Sequence, residues 1–208
     1  QSDFDQFEIP VEPSVHIQYA GAEIHKCGPW NQGPVLLQSL AILKNFDLRG
    51  LGHNSAEYIH LLLEAMKLAF ADREQFYGDP LQVAVPIDTL LSDAYGAMRA
   101  KLIEDKANRE IRPGDPFHNA PLLPAAERLG GAAWGPGTVH VTAMDADGLT
   151  AAFTPSGGWL RASPVIPALG FPLSMRLSNC YMEPANHPNV VAPFKRPRTT
   201  ISPSRVLK

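Results

Sequence analysis

Apolar residues recur at helical spacing through the first hundred positions of the chain and alternate at strand spacing from residue 138 onward. After Gly33-Pro34, the positions Val35, Leu36, Leu40 and Leu43 repeat as one helical face, and Pro34 suits a first turn because its missing N–H has no partner there. Asn54, with Glu57 three residues on, reads as an N-cap and capping box. Ile59, Leu62, Leu63, Met66, Ala69 and Phe70 then form a single apolar stripe, the kind that turns towards a core. Gly78-Asp79-Pro80 ends this long helix, and a third helix is predicted from Ser92 as cap through Tyr95, Met98 and Leu102 towards Lys106. Ahead of the helices, His16 to Tyr19 and Glu23 to Lys26 flank Gly21 like the arms of a hairpin.

The second half has another rhythm. Ile111 to Gly137 holds Pro113, Pro116, Pro121, Pro124 and Pro136 and reads as a linker. Thr138 to Met144 alternates, Asp145-Ala146-Asp147-Gly148 is a turn, and Leu149 to Phe153 returns, which predicts a β-hairpin. Pro155 to Trp159 and Ala192 to Ser204 are expected as fixed loops, since their prolines forbid a helix. The fold class expected is α+β, with helices mainly in the first half and strands mainly in the second.

Composition narrows the possible functions. Of 208 residues, 18 are Lys or Arg and 21 Asp or Glu, a net charge of −3 that offers nothing to a polyanion, so no nucleic-acid partner is expected. A hydrophobic share of 45% suffices for a packed core and excludes wholesale disorder. The run Ile59 to Leu63, broken at His60, falls far short of the ~20 residues a bilayer demands, and no basic-then-apolar leader opens the chain, so no membrane association is expected. Cys27 and Cys180 permit at most one disulfide and do not settle the compartment. The first residue, Gln1, points to a segment cut from something longer.

Seven histidines invite a search for a metal or a general base, yet no two stand at helical ligand spacing beside a carboxylate, and neither cysteine has a ligand-spaced partner. No metal or cofactor is expected. His60, next to Glu64, reads as a solvated surface residue and His53 as part of a helix entry. His140 is of interest for its neighbour Thr138, which follows Gly135-Pro136-Gly137 where the linker meets the first strand. A threonine hydroxyl is a poor nucleophile, but scission of the Gly137–Thr138 bond would give it an α-amine of pKa roughly 7.7–8.0 as its own base. Ser156-Gly157-Gly158 could form an oxyanion hole or phosphate cradle, although it lacks the strand, spacing and helix of a nucleotide fingerprint. Lys195-Arg196-Pro197-Arg198 is a basic run suited to an anionic ligand, to solvation or to pairing with buried acids.

Lys26-Cys27-Gly28-Pro29-Trp30-Asn31-Gln32-Gly33, Leu51-Gly52-His53-Asn54-Ser55-Ala56-Glu57-Tyr58, Leu68-Ala69-Phe70-Ala71-Asp72-Arg73, Gly137-Thr138-Val139-His140 with Asp145-Ala146-Asp147-Gly148, and the closing Lys195 to Ser204 together resemble the γ-glutamyltranspeptidase family. These are N-terminal nucleophile (Ntn) hydrolases, made as precursors that cleave themselves into a large and a small subunit. The resemblance implies part of an αββα sandwich, with residues 1–118 from the end of the large subunit, 119–137 the linker before the processing site, and 138–208 the start of the small subunit. It implies Thr138 as nucleophile, Gly137–Thr138 as cleavage site, Ser156 as the hydroxyl that hydrogen-bonds the nucleophile, and Thr199 and Thr200 as holders of a γ-glutamyl α-carboxylate. The family grips the α-amine with an Asp pair, and here Ser178 and Asn179 stand closest to it.

Gly158 replaces an asparagine and Val139 a frequent second threonine, a combination resembling a branch whose substrates include other amides such as cephalosporin-type acyl groups. The resemblance therefore implies a hydrolase or acyltransferase acting on γ-glutamyl amides such as glutathione. Its alternatives are an amidase or acylase without glutamyl preference, and a non-catalytic binding homologue. The partners implied are a small-molecule amide, the remaining parts of the same precursor, and a possible second copy of the chain. The family's substrate-binding arginine would lie upstream of Gln1 and its oxyanion glycines downstream of Lys208, so these 208 residues alone are expected to be inactive.

Overall fold

The computed structural model describes residues 5–118, 120–121, 138–158 and 163–208. Gly137, most of the proline-rich stretch before it and Trp159 lie outside them. Strands β1 (Val15–Tyr19) and β2 (Ala22–Lys26) form the expected hairpin, joined by Ala20 and Gly21 at φ 51° and 80°. Two successive positive φ values give a turn whose twist matches that of the strands. Four helices follow: α1 (Gly33–Leu43), α2 (Ala56–Phe76), α3 (Ile87–Leu90) and α4 (Asp93–Ala100). Beyond them come β3 (Gly114–Asp115) with β4 (Ala120–Pro121), the hairpin of β5 (Val141–Met144) and β6 (Thr150–Phe153), β7 (Val165–Ile166) with β8 (Phe171–Pro172), a 3-10 turn at Met175–Asn179, and β9 (Ser204–Leu207).

The last strand returns to the first hairpin. β9 pairs antiparallel with β2, Lys26 opposite Ser204 and Glu23 opposite Leu207, giving a sheet of order β1-β2-β9. Helix α1 lies against this sheet and also packs on α2 and α4. One cluster joins Val35, Ala69, Tyr77, Leu90 and Tyr95; a second joins Ile42, Leu43, Ala65, Leu68 and Ala100. The α+β class is as expected.

Three local expectations need correction. The cap of α2 is Ser55, whose hydroxyl accepts from the Tyr58 N–H; Asn54 sits one residue earlier at φ 61°, a left-handed position asparagine tolerates. Helix α4 is capped by Ser92 as expected but stops at Ala100, short of Lys106.

The third correction concerns the face of α2. Its buried residues are Glu64, Ala65, Leu68, Ala69, Ala71 and Asp72, whereas Ile59, Leu63, Met66 and Phe70 are exposed, Leu63 by 55%. The inward face is small and partly charged because the helix carries polar anchors there. Asp72 accepts from the Tyr95 hydroxyl at 3.1 Å, Arg99 Nη2 at 3.1 Å, the Gly114 N–H at 2.6 Å and the Gln38 amide. Both Asp72 and Arg99 are fully buried. Burial pushes the Asp72 carboxyl up to about 6, with Arg99 and the donors around it pulling the other way. Glu64 is likewise buried, pairing with Lys67 and Arg112, while His60 stays at the surface with its ring 2.7 Å from the Glu104 carbonyl.

Candidate active site

The β5–β6 hairpin brings Thr138 and Ser156 together. Asp145 shapes its turn, its side chain accepting from the N–H groups of Asp147 and Leu149, while Gly148 takes φ 85°. A three-residue loop with glycine at the left-handed position fixes strand register. The ladder pairs Met144 with Thr150 through Val141 with Phe153. Carried outward, the same register sets His140 against Thr154, and Thr138 against Ser156. Thr138 Oγ1 and Ser156 Oγ lie 2.8 Å apart, and the Val139 N–H donates to the Pro155 carbonyl at 3.3 Å. His140 faces the same way but is engaged elsewhere, its ring nitrogens 2.7 Å from Thr154 Oγ1 and 2.8 Å from Thr142 Oγ1.

Beside Ser156 opens a cleft of about 250 Å³ bounded by Pro155, Gly157, Phe171, Leu173 and Ser174. The Met175 N–H donates to the Gly157 carbonyl at 2.9 Å, tying the 3-10 turn to this loop. On that turn, the Ser178 hydroxyl donates to the Met175 carbonyl at 2.7 Å and the Asn179 carbonyl accepts from the Asn189 amide at 2.6 Å. Arg176 Nη1 donates to Thr200 Oγ1 at 3.1 Å, and among the described residues Arg176 has no carboxylate partner.

Thr199 and Thr200 owe their placement to Arg196 and Arg198 of the basic run before them, which pair with the buried Asp79 and the half-buried Glu12 and Glu74. Arg196 donates to Asp79 Oδ1 from Nε at 3.0 Å and Nη2 at 2.7 Å and to Oδ2 from its backbone N–H at 2.9 Å, reaches Glu12 at 2.7 Å, and stands 5.1 Å over the Trp30 ring. Arg198, 4% exposed, donates to the Arg73 carbonyl at 2.8 Å and to Glu74 Oε2 at 2.7 Å. Burial raises the Glu74 carboxyl, but the Arg198 charge and the donors from Tyr181 and Arg198 outweigh it and hold the group below its ordinary value. Burial and the nearby Arg198 push Arg73 down to about 10. The Thr199 N–H donates to the Trp30 carbonyl at 2.9 Å.

The motifs around Trp30 and Asp72 thus act as anchors for the loop that carries the two threonines. Sequence reasoning missed Asn189, a buried residue whose Oδ1 accepts from the Arg198 N–H at 2.9 Å while its amide holds Asn179. It missed Arg176 as well. The signal for Arg176 was a lone cation four residues after Pro172 with no acid nearby in the sequence. Cys27 and Cys180 are both free thiols.

The fold is shared with several solved structures. LmbA2991HD is 42% identical and superimposes with a TM-score of 0.84 over 100% of this chain and 36% of its own. The cephalosporin acylase from Bacillus halodurans is 27% identical with a TM-score of 0.79, over 100% of this chain and 34% of its own. The architecture is thus one found in an acylase. The chain itself belongs to the gamma-glutamyltranspeptidase family, whose model matches residues 1–208. A glutathione hydrolase proenzyme from Pseudomonas sp. (strain A14) is 28% identical over 222 residues, which cover 100% of this chain and 36% of that protein. The chain spans about a third of the length of these relatives, two of which are named as a cephalosporin acylase and a glutathione hydrolase.

Proposed function

We propose that this chain is the central part of a self-processing amide hydrolase and acyltransferase in which Thr138 is the nucleophile. On this reading residues 1–118 close the large subunit, 119–137 form the linker, and 138–208 open the small subunit of an αββα sandwich. The observation that carries it is the 2.8 Å approach of Thr138 Oγ1 to Ser156 Oγ, set by hairpin register. Scission of Gly137–Thr138 frees an α-amine that takes the hydroxyl proton as Oγ1 attacks the substrate carbonyl. The proton passes to the departing amine, leaving an acyl ester on Thr138. Water or an acceptor amine then attacks the ester and returns the hydroxyl. Ser156 holds Oγ1 in line, and Thr199 and Thr200 receive the carboxylate end of the acyl group.

The substrate follows from charge. A γ-glutamyl amide such as glutathione, the compound named in a relative, presents both a carboxylate and an ammonium. Ser178 and Asn179 supply no negative charge for the ammonium, and Arg176 places a positive one beside Thr200. This favours the second reading, an acylase for carboxylate-bearing acyl groups that lack the α-amine, over strict glutamyl specificity.

The test is intact-mass analysis of the full-length protein with Thr138 and with Thr138→Ala, followed by comparison of γ-glutamyl and glutaryl amides. Two products, one beginning at Thr138, are expected only with the native residue, with turnover of the glutaryl amide equal to or above that of the γ-glutamyl amide. An uncut native chain would leave the proposed nucleophile without its base and point to a binding homologue.

A further inference from the structure

The outer face of the β1–β2 hairpin carries a cluster for which the acyl chemistry has no use. His16 and His25 are direct cross-strand partners, and Gln18 and Glu23 are the next pair on the same side, because side chains alternate along each strand. Glu23 Oε1 lies 3.4 Å from His16 Nε2 and 2.9 Å from His25 Nε2, and one ligand atom from each residue falls within 4.8 Å of the others. A tetrahedral ion with bonds of about 2.0–2.1 Å spaces its ligands about 3.3–3.4 Å apart. The first separation already has that length, and the second needs about half an ångström, within reach of a glutamate rotamer on a hairpin surface.

Two features separate this cluster from an ordinary surface ion pair. His25 Nε2 is buried and makes no hydrogen bond, although the carboxylate oxygen is 2.9 Å away. A cation lying off the line between them would satisfy the nitrogen lone pair and the carboxylate together. The atoms facing away from the centre of the cluster are also held: His25 Nδ1 is 2.9 Å from Ser14 Oγ, and Gln18 Nε2 donates to Glu23 Oε2 at 3.3 Å. When Nδ1 donates to Ser14, Nε2 is left as the ligating nitrogen, and outer partners of this kind orient metal ligands.

We propose that His16, Glu23 and His25 form a site for a divalent transition-metal ion of the zinc type, with one position left to water. Two imidazoles and one carboxylate suit Zn²⁺, whereas Mg²⁺ and Ca²⁺ require mainly oxygen donors. The carboxylate supplies the only negative charge of the trio. Arg205 stands opposite His25 on β9, on the side of β2 away from β1. Helical spacing rules miss the site because its ligands are two residues apart on one strand and opposed across a turn. The bound ion would tie β1 to β2 and stabilise the sheet that β9 completes.

The test is calorimetric titration of the 208-residue chain with Zn²⁺ and with Mg²⁺ at neutral pH, repeated with His16→Ala and Glu23→Gln. Circular dichroism verifies that each variant is folded; His16 is half exposed, so its replacement leaves the core untouched. Saturable binding of one Zn²⁺ and none of Mg²⁺ is expected, with affinity at least tenfold lower in each variant. No binding by the native chain, or affinity unchanged in either folded variant, overturns the assignment.

Discussion

Replacing Glu74 by alanine tests the idea that acids of the first half hold the threonine-bearing loop of the second. The Glu74 carboxylate is the acid partner of Arg198, a guanidinium only 4% exposed, and also accepts from the Tyr181 hydroxyl. Removing it leaves a buried cation with the Arg73 carbonyl as its remaining partner, a change that costs about 3–5 kcal/mol. With a urea m-value of about 2 kcal/mol/M, the unfolding midpoint should fall by roughly 1.5–2.5 M. Glu74→Gln, which keeps an acceptor for both donors, should lose less. The pH dependence has a definite sign. Glu74 ionises at lower pH in the folded chain than in the unfolded one, so its contribution is fully present above the unfolded value of about 4.5 and is lost as pH falls through the folded one. The gap between wild type and Glu74→Ala should therefore narrow in acid. Urea titrations followed by tryptophan fluorescence at pH 7 and below pH 4 measure both quantities. A midpoint within about 0.3 M of wild type at pH 7 would refute the clamp.

Asp72 should titrate near pH 6 in a carbon-detected NMR experiment on the folded chain, since burial favours its neutral form. Its folded value lies above its unfolded one of about 3.9, so this group adds stability as pH drops from about 6 to 4, opposite in sign to Glu74. A midpoint at or below 4 would contradict that ordering. Gly96→Ala should destabilise by about 1–3 kcal/mol, because a Cβ there would stand 2.6 Å from the Ala41 carbonyl oxygen at the α1–α4 crossing, and backbone cannot move aside cheaply. Thermal unfolding monitored by circular dichroism reads it, and an unchanged midpoint would show that the two helices pack less closely than described.

Elements that depended on neighbours in the chain were largely legible in the sequence, the cap of α2 and the end of α4 excepted. Ser92 capped α4, Pro34 opened α1, and the Asp145–Gly148 turn set the register that meets Thr138 with Ser156, since turns and caps are closed by atoms a few residues apart. Motifs likewise carried the family. Tertiary structure alone decided which face of α2 turns inward, because an apolar count cannot reveal that Asp72 would meet Gln38 of α1 and Tyr95 and Arg99 of α4. It alone chose among solvent, ligand and acid as the partner of Arg196 and Arg198, whose carboxylates come from more than a hundred residues earlier. A charge's partner is fixed by packing over distances that no local period encodes, and desolvation then makes that partner obligatory.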